Sequence, residues 1–144
     1  MMRTVHGEDG FTLVEILIVM VILGLLAAVA IASFFSQRDK ARDADAKVLV
    51  RTAQTAIETY ATTNDGAYTG ATADTLQSIE GVLQGVPDSV LNVNAMGPPE
   101  RYEIGVESPT GNVFSIARDT DGTTSYSCSA EGTSGCPSGG DWAG

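Results

Sequence analysis

The chain has 144 residues, 18 acids against 8 bases, a net charge of −10 and one histidine. That length makes one domain plus at most an appendage, and the acidic balance argues against tight, nonspecific nucleic-acid binding, which needs cations facing phosphates. With two cysteines, a single histidine and no glycine-rich phosphate loop, no catalytic constellation is visible, so neither an enzyme nor a bound cofactor is expected.

Residues 1–10 read as a short polar leader that contains Arg3, His6, Glu8 and Asp9 and ends in Gly10. Phe11 to Glu15 follow, and then Ile16 to Ala32 without a single charge. With its flanks, this run covers a bilayer core of ~30 Å at ~1.5 Å per residue. A secretory signal carries its small-residue cleavage site after the apolar stretch. Here the only processing-like junction comes before it, so the apolar segment is expected to stay in the mature protein. Glu15 is costly inside a membrane, though less so near a helix end. Gly24, Ala28 and Ala32 sit at four-residue steps, a spacing that lets membrane helices approach closely.

No proline lies between Met1 and Val86, which predicts one helix from about residue 12 to about residue 63. Past the apolar run the pattern turns amphipathic. Ala41, Ala44, Val48, Leu49, Ala53, Ala56, Ile57 and Tyr60 form the expected stripe. Asn64-Asp65-Gly66 is the stop signal. Arg38, Lys40, Arg42, Lys47 and Arg51 cluster here among only Asp39, Asp43 and Asp45, whereas beyond Thr52 the only bases are Arg101 and Arg118.

Residues 65–100 look irregular, apart from a short helix over Ala73–Glu80 ended by Gly81 and a break at Gly97-Pro98-Pro99. A β-meander follows. Tyr102, Ile104 and Val106 alternate with Glu103 and Gly105, Val113–Ala117 is a second strand, and Thr123–Cys128 a third. A sheet face of Tyr102, Ile104, Phe114, Ile116 and Tyr126 is expected to lie on the helix stripe, giving an α+β head. Asp119-Thr120-Asp121-Gly122 matches the start of a calcium loop, but the place of the closing Glu holds Ala130, so a hairpin turn is expected and no metal site. If the chain is exported, Cys128 and Cys136 read as one disulfide clipping the Gly/Ser-rich tail.

The stretch GFTLVEILIVMVILGLLAAVAIA resembles the class III signal of type IV prepilins. The resemblance implies a long N-terminal helix packed on a small antiparallel sheet. It divides the chain into a leader (1–10), a transmembrane and filament-core helix (11–36) and an extracytoplasmic head (37–144). It also implies cleavage between Gly10 and Phe11 by a prepilin peptidase, N-methylation of Phe11, and a meeting of Glu15 with the N-terminal amine of an adjacent subunit. The implied partners are further copies of the chain in a helical filament, an assembly platform with its ATPase, and the membrane that holds the precursor. The family usually carries a Pro where this chain has Ala32. The positive-inside rule alone would leave the C-terminal part in the cytoplasm; the cysteine pair, the Ser/Thr/Gly-rich tail and the resemblance place it outside. A pilus subunit is the expected function. A pseudopilin of a type II secretion or DNA-uptake machine and a minor pilin share the same N-terminal half, and a membrane-anchored binding module with an uncleaved anchor is the reading from another class.

Overall fold

The computed structural model describes residues 10–97 and 100–143. The leader positions 1–9 and Pro98-Pro99 of the expected break lie outside the described residues. The chain divides into two compact units at Ser36/Gln37, and helix α1 (Leu13–Thr63) contributes to both. In the first unit, every large apolar side chain from Phe11 to Phe35 is exposed. This stretch is long and apolar enough to cross a membrane.

The second unit is the head. After α1 come α2 (Ala73–Ile79), a single 3₁₀ turn (Gly81–Leu83), and strands β1 (Leu91–Met96), β2 (Arg101–Glu107), β3 (Val113–Arg118) and β4 (Thr124–Cys128). The strands form one antiparallel sheet in the order β1-β2-β3-β4, so the expected α+β, pilin-like arrangement is what the chain adopts. Register aligns Ile104 with Ile116, and Ile116 with Tyr126. That alignment gathers Tyr102, Ile104, Phe114 and Ile116 on the buried face, with Tyr126 packed at its margin. Opposite them α1 buries Ala46, Val50, Ala53, Ala56, Ile57 and Ala61. Small residues on the helix let its backbone come close to the large ones of the sheet.

Helix α1 stops as its sequence predicts. Asp65 and Gly66 take left-handed conformations (φ 56° and 84°), and the Gly66 N–H donates to the Ala61 carbonyl at 2.9 Å; this six-residue closure satisfies a terminal carbonyl. Helix α2 starts at Thr72, whose hydroxyl accepts from the Thr75 N–H while the Thr75 hydroxyl accepts from the Thr72 N–H. It ends at Ile79, one residue before the predicted end, because Glu80 is extended and leads into the 3₁₀ turn.

Two expectations are corrected. Leu91–Met96 is a strand, not irregular chain. Leu91, Val93 and Ala95 turn toward the core and Asn92 and Asn94 toward solvent. Asn disfavours strands, yet β1 is an edge strand, paired on one side only. The helix stripe is also rotated from the expected one near its start. Ala41, Ala44 and Val48 are exposed, and Asp43, Ala46 and Val50 are buried instead.

Cys128 and Cys136 are joined, closing the first turn of the C-terminal loop. A loop this short contributes about 2.5 kcal/mol by limiting the unfolded chain. Replacing both cysteines by serine is expected to cost that amount, read as a lower urea midpoint of the detergent-solubilised chain, with a slope no smaller than wild type because the unfolded chain is less restricted.

Candidate functional site

At the N-terminal junction, Gly10 and Phe11 precede the helix and Thr12 caps it. The Glu15 N–H donates to Thr12 Oγ1 at 3.2 Å and the Ile16 N–H to the Thr12 carbonyl at 3.3 Å. Thr12-Leu13-Val14-Glu15 thus has the Ser/Thr-x-x-Glu form of a helix start, a signal the sequence reading passed over. The acid sits in the first turn, where the helix dipole favours it. Glu15 is exposed and, among the described residues, has no ion-pair partner. Gly24, Ala28 and Ala32 are exposed as well, and among the described residues nothing lies within 4 Å of where a Gly24 Cβ would be. Among the described residues the structure brings neither Glu15 nor this small-residue row against any other part of the chain.

A second polar centre lies in the head and was not anticipated. Asp43, on the sheet-facing side of α1, is fully buried at 0% exposure. Its Oδ1 accepts from Ser108 Oγ at 2.6 Å and Thr110 Oγ1 at 2.5 Å, and its Oδ2 from Asn112 Nδ2 at 2.9 Å and the Gly135 N–H at 2.8 Å. Three of these donors belong to the β2–β3 turn. That turn is closed by the Ser108 N–H donating to the Asn112 carbonyl at 2.7 Å and by Gly111 at φ +87°. The fourth belongs to the disulfide loop. Burial is the largest single influence on Asp43 and pushes its pKa up, but the hydrogen bonds together outweigh it and hold the carboxyl below its ordinary value.

One turn along α1, Lys47 Nζ donates to the Gly135 carbonyl at 2.6 Å. The helix therefore grips residue 135 by both its N–H and its C=O. A Cβ on Gly135 would lie 2.6 Å from Asp43 Cβ, so only glycine fits there. Lys47 also stands 5.2 Å over the Phe114 ring, and Arg51, a further turn on, 5.3 Å over Trp142. Trp142 is buried edge-on against Tyr126 at 5.1 Å and donates its indole N–H to the Ser127 carbonyl at 2.8 Å. Asp43, Lys47 and Arg51, four residues apart, hold the C-terminal loop as a ladder.

At the far end of the helix, Glu58 accepts from the Tyr68 hydroxyl at 2.8 Å, the Tyr102 hydroxyl at 2.9 Å and Arg118 at 3.2 Å. Burial, foremost, and the neighbouring Glu58 carboxylate raise both tyrosine pKa values, so these hydroxyls stay donors. The β3–β4 connection is the expected hairpin turn. Asp121 Oδ1 accepts from the N–H and hydroxyl of Thr123, Asp119 Oδ1 accepts from the Thr120 N–H, and Gly122 has φ +86°. Among the described residues no cluster of His, Cys, Asp or Glu could hold a metal ion.

The comparisons with known proteins bear on the first of these centres. Residues 6–31 match the prokaryotic N-terminal methylation motif. The chain is 40% identical over 53 residues to type II secretion system core protein G of Pseudomonas aeruginosa, a match covering 37% of each chain. It is 34% identical over 65 residues to competence protein ComGC of Halalkalibacterium halodurans, covering 45% of this chain and 64% of that one. The matched part thus spans less than two thirds of either relative. No solved structure matches the chain. The N-terminal segment is of the prepilin kind, as its resemblance implied, and it runs into a pilin-like α+β head.

Asp43→Ala would orphan the buried Asn112 donor and the part-buried Gly135 N–H and is expected to cost about 3 kcal/mol, seen as a lower urea midpoint at pH 7. Gly135→Ala should destabilise in the same direction by clashing with Asp43. Because the folded Asp43 pKa is depressed, its contribution is fully present above the unfolded value of about 3.9 and is lost as pH falls through the folded one. The wild-type midpoint should therefore fall below about pH 4, and Asp43→Asn should show a shallower fall.

Proposed function

We propose that the chain is a structural, non-catalytic pilin subunit that polymerises through its N-terminal helix into a type IV pilus filament. One observation carries this reading: the methylation motif opens a helix whose large apolar side chains up to Phe35 are all exposed in the isolated chain. Such a surface calls for lipid or for further copies of itself. The precursor sits in the cytoplasmic membrane as a single span, with leader 1–10 inside and head 37–144 outside. A prepilin peptidase cuts between Gly10 and Phe11 and methylates the new amine. An assembly platform driven by an ATPase then withdraws the subunit, and segment 11–36 exchanges lipid for neighbouring helices. Gly24, Ala28 and Ala32 give those helices a close approach.

Glu15 lies one turn after the new N-terminus and meets the Phe11 amine of the adjacent subunit. In an apolar filament core such a pair fixes register, since either charge left alone would be buried without a partner. Subunits joined by unlike surfaces repeat without closing, as a filament requires.

A second reading is a pseudopilin of a secretion or DNA-uptake machine, and both reported relatives favour it by name. The two readings part on location. A pilus puts the processed chain in material sheared from the cell surface, and a pseudopilus leaves it in the envelope.

The mature mass tests the reading: a chain beginning at N-methylated Phe11 in sheared fibres is expected, and a chain beginning at Met1 that never leaves the membrane would sink it. Glu15→Gln should leave the cut at Gly10 intact and lower fibre yield by about tenfold or more, since removing one member of a buried pair costs roughly 3–5 kcal/mol.

A further inference from the structure

The head carries a groove of about 540 Å³ between α1 and the loop before β1. Its floor is apolar, made by Leu49, Val86, Val90 and Val106, and its rim holds Asp45 and Glu107. Leu49, Val86 and Val90 lean on the core but are only partly buried, so the floor is apolar surface that the head itself does not cover. The cation at the rim, Arg42, is engaged by Asp39 at 3.4 Å. Asp45 and Glu107 have no ion-pair partner among the described residues. The groove is therefore apolar below, and its rim carries two carboxylates against the one guanidinium of Arg42, which is turned to Asp39.

The sequence supplies a segment with the complementary chemistry. Phe34 and Phe35 are 66% and 54% exposed. Arg38 follows them by four and three residues, so all three share one side of a helix. Arg38 is exposed and, among the described residues, has no ion-pair partner either. We infer that the groove receives the Phe34–Arg38 segment of a second copy of this chain, with an aromatic ring on the apolar floor and the Arg38 guanidinium between the Asp45 and Glu107 carboxylates. Groove and segment are different surfaces, so each copy offers one and uses the other, and the contact propagates. The inference rests on the filament reading above and names a head-level contact within it.

The test is a charge exchange in the full-length chain, in a host with the assembly machinery. Arg38 and Glu107 are both exposed, so Arg38→Glu and Glu107→Arg should leave folding and the cut before Phe11 unchanged. Each alone is expected to lower the yield of sheared fibres by roughly fivefold, as for a partly exposed ion pair, and the double exchange to restore it. A photoreactive phenylalanine at position 35 should cross-link into peptides of another copy that contain Val86–Val90 or Val106–Pro109. Wild-type yield from either single exchange, a double exchange no better than the worse single one, or cross-links elsewhere would overturn the groove contact and leave the filament reading standing. An unprocessed wild-type chain that stays in the membrane would overturn both, and the mass of its N-terminus would show which had failed.

Discussion

The head is organised around a carboxylate that has no route to water. Asp43 lies on the face of α1 that meets the sheet, where an ionised group is tolerated only if its lone pairs are filled. Its donors come from positions 108, 110, 112 and 135. Satisfying it therefore sets three things together: the rotation of the helix, the shape of the β2–β3 turn, and the seat of the C-terminal loop. Rotating α1 by one residue, about 100°, would carry Asp43 away from these donors and turn Lys47, Arg51, Gln54 and Glu58 toward the sheet in place of Ala46, Val50, Ala53 and Ile57. Hydrophobic burial brings the helix and sheet together, and the buried acid fixes the same rotation from the side of the turn and the C-terminal loop. Lys47 and Arg51 extend that choice along the same side of the helix, onto Gly135 and Trp142.

Much of this was legible in the sequence and some of it was not. The helix and its stop at Asn64-Asp65-Gly66 could be read because their signals are local: no proline, a long apolar period, then residues that tolerate the left-handed region. Strands β2 to β4 could be read because alternation and turn residues coincide. Strand β1 was missed since Asn92 and Asn94 argue against a strand, and only its place at the edge makes them acceptable. The stripe was misassigned because Ala41, Ala44 and Val48 are more apolar than the face that contains Asp43. A residue-by-residue hydrophobic count prefers the wrong rows wherever a buried charge is matched by partners more than sixty positions away. Thr12 was the avoidable omission, since its capping pattern with Glu15 needs no tertiary information.

The two units obey opposite rules. The head closes on itself: its buried aromatic rings, its buried acid and the hydroxyls of Tyr68 and Tyr102 find partners within the head. The stretch before it presents nearly all of its apolar surface outward and finds none. Three of the five bases after the apolar run belong to the first rule, while Arg38 and Lys40 are exposed and have no ion-pair partner among the described residues. Arg42, Lys47 and Arg51 hold Asp39, the Gly135 carbonyl and the Trp142 ring. Their number after the span, which by itself argues for a cytoplasmic head, has a structural cause in how the head is built.

The missing proline bears on how the apolar segment behaves once it leaves lipid. Without Pro at position 32 the backbone keeps every donor from Leu13 onward, and α1 runs unbroken to Thr63. Gly24 is the weakest link in the apolar stretch, and it costs only ~1 kcal/mol relative to Ala. Opening the helix there inside an apolar bundle would expose backbone groups at several kcal/mol each. That imbalance favours a helix that enters the bundle intact. In the proposed filament an intact helix is also what the packing row requires, because a melted segment would no longer present Gly24, Ala28 and Ala32 on one face.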